Sequence, residues 1–118
     1  MRHRKKRDKL RKQSSHRNLM VRSLMNDLIM NEKLQLTSAK ARVVSSSYEQ
    51  LVTKTMKAQD SRNKKRILHS LLNNKEVEKK FLKEVLPKYS KGASGMTRVI
   101  KIGNRQGDNA LVCQVELV

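Results

Sequence analysis

Residues 96–118 read MTRVIKIGNRQGDNALVCQVELV, and their pattern sets the fold class. MTRVIKI (96–102) and ALVCQVELV (110–118) are short, alternating and rich in β-branched residues, and the GNRQGDN between them carries two glycines. That is the signature of two strands closed by a glycine-containing hairpin loop. In the first strand Thr97, Val99 and Lys101 fall on one face, and Arg98, Ile100 and Ile102 on the other. Cys113 is the single cysteine, so it has no internal disulfide partner. Its alternating surroundings make it a small apolar core residue on a strand, in keeping with a reducing cytosol.

Working back from the hairpin, residues 90–95 (SKGASG) form a small-residue loop, and residues 14–89 before it have helical periodicity with one exception. A first helix starts at Ser14 or Ser15, both good N-caps, and runs to about Met30, with Val21, Leu24, Met25 and Leu28 as its buried stripe. Arg22, Ser23, Asn26 and Asp27 take its outer face, and Met20, Met25 and Met30 are expected in the core. The exception is EKLQLT (32–37), where Leu34 and Leu36 alternate as in a short strand.

Thr37 or Ser38 then caps a second helix that buries Val44, Tyr48, Leu51, Val52, Thr55 and Met56 and ends near Gln59. Asp60 caps a third, with Ile67, Leu68, Leu71 and Leu72 inward and a basic outer turn from Arg62 to Arg66. Asn73 and Asn74 interrupt it. Glu76, three residues after Asn73, suggests a capping box, and a fourth helix with Val77, Phe81, Val85 and Leu86 inward ends before Pro87. The order α-β-α-α-α-β-β gives an α+β fold of two layers. Its small three-stranded sheet, mixed or antiparallel, is covered by about four helices in one domain over residues 14–118.

Charge is the second strong signal. The chain of 118 residues carries 28 Lys and Arg against 10 Asp and Glu, a formal net charge of +18. Such an excess repels itself in a compact state, so the partner should be a polyanion. Residues 1–17 hold nine of the basic residues against Asp8 alone, while the other 101 residues share a net +10. Residues 1–13 have only Met1 and Leu10 as sizeable apolar residues, too few to offset the entropy of ordering. They are expected to form an extended basic arm, reaching about 40 Å at roughly 3.3 Å per residue.

No apolar run is long enough to span a bilayer, and Leu10 by itself does not make the basic segment amphipathic, so membrane insertion is not expected. His3, His16 and His69 lie in different elements with no ligand spacing around them, so no metal or other cofactor is expected. Neither a nucleophile with its base nor a phosphate-gripping nucleotide loop is recognisable, which excludes an enzyme and a small-molecule substrate. With only Tyr48, Phe81 and Tyr89 as aromatics, stacking on single strands is disfavoured. What remains is recognition of a folded polyphosphate by charge and shape. A nucleoid-type DNA-binding protein would share that chemistry and is the alternative.

MRHR at the start, SSHR (14–17), PKYSKGASGMTRVIKIG (87–103) and the closing block from RQGDNA to VELV (105–118) resemble the bacterial ribosomal protein seventeen family of the large subunit. The resemblance covers Met1 to Val118, although the family usually carries an aromatic residue where this chain has Met96. It implies a two-layer α/β body, a basic extension laid into large-subunit ribosomal RNA beside neighbouring large-subunit proteins, and a cytoplasmic location on the ribosome near the nascent-chain tunnel exit. Carried over by position, it implies RNA contacts at Arg2, His3, Arg4, Lys5, Lys6, Arg11, Ser14, Ser15, His16, Arg17, Arg98 and Arg105. The expected RNA-binding set also includes Arg7, Lys9 and Lys12 in the arm and Lys101 on the strand.

Overall fold

In a computed structural model, which describes residues 8–89 and 94–118, the chain runs α1 (Ser14–Asn31), β1 (Lys33–Thr37), α2 (Ser38–Lys57), α3 (Ser61–Leu72), α4 (Lys75–Lys80), β2 (Thr97–Asn104) and β3 (Leu111–Leu117). The three strands form one antiparallel sheet in the order β1-β3-β2. The element order is the expected one, and the choice between mixed and antiparallel pairing falls to antiparallel. Most of the 90–95 loop lies outside the described residues.

One sheet face packs against the helices. Cys113 and Val115 of β3 are buried there together with Met25, Leu28 and Ile29 of α1, and Val44, Tyr48, Leu51, Val52 and Thr55 of α2. Phe81 meets the Tyr48 ring edge-on, with ring centroids 6.4 Å apart. At full burial such rings contribute several kcal/mol, of the order of 25 cal/mol per Å² removed from water. The Tyr48 hydroxyl is not left unpaired in this core: it shares a 2.9 Å hydrogen bond with Tyr89. Burial, reinforced by that bond, pushes the Tyr48 phenol far above its ordinary range.

Several local expectations change. The N-cap of α1 is Gln13, with no side-chain cap bond, so Ser14 and Ser15 lie inside the first turn with exposed side chains. The α1 stripe buries Met25 and Leu28 and continues on the same face to Ile29, while Val21 and Leu24 pack half-buried against the core. Of the methionines expected in the core, Met25 is there, Met20 is half-buried and Met30 is exposed. Thr37 is the N-cap of α2 by position, again without a side-chain bond.

Asp60 caps α3 as expected, its carboxylate accepting from the Arg62 amide. The cap before Glu76 is Asn74 rather than Asn73, and it accepts from the Glu76 amide at 3.0 Å. Asn73 instead closes α3 from the left-handed region at φ 56°, a conformation Asn tolerates better than most residues. The last helical stretch also continues past its predicted end. α4 widens into a π turn over Phe81–Val85 and tightens into a 3-10 turn over Leu86–Lys88. Pro87 fits in that first turn, where a missing N–H costs no helical bond.

In β2 the regular pairing with β3 holds only as far as Lys101. Val99 pairs with Val115 and Lys101 with Cys113, but the next pair is Gly103 with Val112, so Ile102 is an extra residue at a bulge. The bulge breaks the ladder at Ile102, which has no partner on β3.

Candidate nucleic-acid interface

The described part of the basic segment does not run straight. Lys9 to Lys12 form a tight turn closed by a 3.1 Å bond from the Lys12 amide to the Lys9 carbonyl, with Leu10 and Arg11 both at φ 53°. An extended arm was expected up to residue 13, so at residues 9–12 the structure differs. Two successive left-handed residues are costly for side chains with a Cβ. The reversal holds Lys9 and Arg11 out at the surface, with Lys12 half-buried. Arg2, His3, Arg4, Lys5, Lys6 and Arg7 lie outside the described residues.

The turn leads directly into the first turn of α1, where Ser14, Ser15 and His16 are exposed and Arg17 is half-buried. No acidic residue occupies that turn and no side chain caps it. Its amide groups and helix dipole therefore face the basic segment without a protein anion to satisfy them. Lys9, Arg11, Lys12, Ser14, Ser15, His16 and Arg17 thus follow one another where the turn meets α1, with Lys12 and Arg17 half-buried and the others exposed.

The hairpin residues are placed elsewhere and held differently. Arg98 is exposed on the edge strand β2, opposite Glu116 of the central strand β3, which in turn sits 3.9 Å from Lys33 of β1. Lys101 is exposed beside the bulge. Arg105 grips Asp108 through two bonds, Nε to Oδ1 at 3.1 Å and Nη2 to Oδ2 at 2.5 Å. The Ala110 amide donates to the same carboxylate at 3.2 Å. The guanidinium holds the Asp108 carboxyl down at about 2, and the carboxylate in turn raises Arg105. Arg105 thus organises its own hairpin loop, and an incoming phosphate would have to compete with Asp108 for it.

The outer turn of α3 presents Arg62, Lys65 and Arg66 exposed and Lys64 half-buried. Sequence reasoning missed a further group. Arg22, Arg42 and Lys54 line, together with Arg17, a cleft between α1 and α2 of about 550 Å³. Arg22 had been assigned to an outward helix face. The repeat of polar residues at 42, 46, 50 and 54 is visible in the sequence, but a polar row on a helix reads as solvated surface until the neighbouring helix is known.

Among the described residues no His, Cys, Asp or Glu side chains gather in a group of three or more that could hold a metal ion, and no helix is long and apolar enough to cross a membrane. Comparison with known proteins adds what geometry does not. Residues 20–118 match the family described as Ribosomal protein L17. A protein of Fervidobacterium nodosum named large ribosomal subunit protein bL17 is 36% identical, the match taking in all of this chain and 99% of that protein. Proteins of the same name from Amoebophilus asiaticus and Bacteroides fragilis are each 38% identical over 118 residues. This chain is matched in full in both cases and spans 60% of the Amoebophilus protein and 72% of the Bacteroides protein.

Proposed function

This chain belongs to the ribosomal protein L17 family, and from that premise we propose that it is a structural constituent of the large ribosomal subunit that binds and stabilises folded ribosomal RNA. It acts in the cytoplasm as part of the ribosome and performs no catalysis. The observation that carries the reading is the match to a large-subunit protein over both chains' full lengths. The charge distribution supports it, because a net +8 over residues 1–17 suits a polyphosphate partner.

Residues 1–13 act as the RNA-binding arm, and residues 14–118 form the folded body. Arg2, His3, Arg4, Lys5, Lys6 and Arg7 contact phosphates, and the turn residues Lys9, Arg11 and Lys12 continue the track into Ser14, Ser15, His16 and Arg17 at the start of α1. A helix N-terminus that no side chain caps, flanked by cations, favours an anion there. Arg98, Lys101 and Arg105 provide a second, more geometric contact from the hairpin. Neighbouring large-subunit proteins share the site, near the exit of the nascent-chain tunnel.

Binding to large-subunit ribosomal RNA measured between 50 and 200 mM salt tests this. With roughly six to ten phosphate contacts, affinity falls by about 10³-fold or more over that range. Removing residues 1–13 should flatten the dependence while circular dichroism shows an intact body. An unchanged slope would remove the arm from the account. Equal affinity for long duplex DNA at matched salt would favour nucleoid-type binding instead.

A further inference from the structure

The cleft between α1 and α2 has a one-sided charge. Arg17 and Arg22 come from α1 and Arg42 and Lys54 from α2, while Asp8, just before the basic turn, is the acid on its walls among the described residues. On α2 the lining positions Arg42, Ser46, Gln50 and Lys54 recur every four residues and form one polar row. That row lies beside the buried residues Val44, Tyr48, Leu51 and Thr55. At 1.5 Å per residue, its end cations are about 18 Å apart along the helix, with neutral donors between them. A long groove with cations at both ends and hydrogen-bond donors in the middle suits a chain of phosphates better than a single small anion.

Asp8 gives a second, independent observation. Its carboxylate approaches Arg42 to 3.9 Å, with both side chains largely open to water. Such a pair adds little to stability, but it shows where the cleft accepts an anionic oxygen. Asp8 is also adjacent in sequence to the basic turn, so a nucleic-acid strand following the arm is led to the cleft.

We propose that this cleft binds phosphates of the RNA backbone, and that in the free chain the Asp8 carboxylate holds the place beside Arg42 that a phosphate takes in the complex. The inference rests on the RNA-binding function proposed above. Phosphate displaces carboxylate because it offers more acceptor oxygens to the guanidinium at the same position.

The test uses the full chain and large-subunit ribosomal RNA over 50–400 mM salt. Arg22→Gln, Arg42→Gln and Lys54→Gln combined should lower the log–log salt slope by about two to three, against about one for Arg42→Gln alone. The charge-matched combination Lys75→Gln, Lys79→Gln and Lys83→Gln, on α4 and the π turn that follows it, should change it less. Asp8→Asn should tighten binding several-fold, beyond the effect of Asp27→Asn, which removes the same charge from the exposed face of α1.

Equal slopes for the two triple variants, or for Arg42→Gln and the unmodified chain, would overturn the cleft as a site. Equal gains from Asp8→Asn and Asp27→Asn would overturn the role of Asp8. If the unmodified chain prefers duplex DNA to ribosomal RNA, the functional reading itself fails, and that result is separate from either comparison.

Discussion

Glu32 ends α1 in the left-handed region at φ 65°, with its amide donating to the Leu28 carbonyl at 2.8 Å and its carbonyl accepting from Leu117. All of these bonds are made by the backbone, so the side chain carries a conformational cost with little return. Its ion pair with Lys88 is 3.9 Å long and exposed. Glu32→Gly should keep the backbone bonds, relieve the strain and stabilise the fold by about 0.5–1 kcal/mol, read as a higher midpoint in urea. Asp108 makes a prediction of the opposite kind, in pH. Its carboxyl is lowered from 3.8 to about 2, so the folded form releases its proton more readily than the unfolded chain does. The contribution of the Arg105–Asp108 contact is therefore complete above pH 4 and lost as pH falls toward 2. The Ala110 amide resonance should follow that titration, and a midpoint at the ordinary carboxyl value would show that the loop is not held as described. At this scale the sequence was partly legible. Asp60 was readable as a cap, while the choice between Asn73 and Asn74 depended on which asparagine closes α3 and which opens α4, a matter of backbone conformation: Asn73 is left-handed and Asn74 extended.

At the scale of elements, α3 stands out because it starts with cations. Arg62, Lys64, Lys65 and Arg66 fall in its first turns, where the Asp60 cap is the one acid at the helix start and the helix dipole disfavours positive charge. Helix stability does not account for that placement, whereas contact with a polyanion would. Asn63→Glu should complete a capping box with Asp60 and stabilise the helix by about 0.5–1 kcal/mol, measured by thermal unfolding. If the α3 face contacts RNA, the same change should also weaken RNA binding, whereas a solvent-facing patch predicts stabilisation with unchanged affinity. Element existence and order were readable because the four helices and three strands differ in the period of their apolar residues. The bulge at Ile102 was not, since nothing in TRVIKI marks it and the break arises only in pairing with β3. The α1–α2 cleft was hidden for the same reason: it exists between elements and has no period of its own.

Across the whole molecule, measuring 46 × 35 × 26 Å, the excess of cations is distributed with purpose. The basic turn, the start of α1 and the α1–α2 cleft adjoin one another through residues 8–22, while in the hairpin the charge of Arg105 is committed to Asp108. Long-range attraction to a polyanion is therefore expected to come chiefly from the N-terminal side, and orientation on it from the hairpin. Sequence showed that division through charge density in residues 1–17, but the partner's identity came from motif resemblance and the family match, because phosphate neutralisation by itself is common to RNA and DNA. The most direct test is fractionation of a lysate on a sucrose gradient with detection of this chain. At low salt it should sediment with the large ribosomal subunit, and rising salt should release it to the top of the gradient. Sedimentation with DNA, or free migration at low salt, would contradict a role as a large-subunit component.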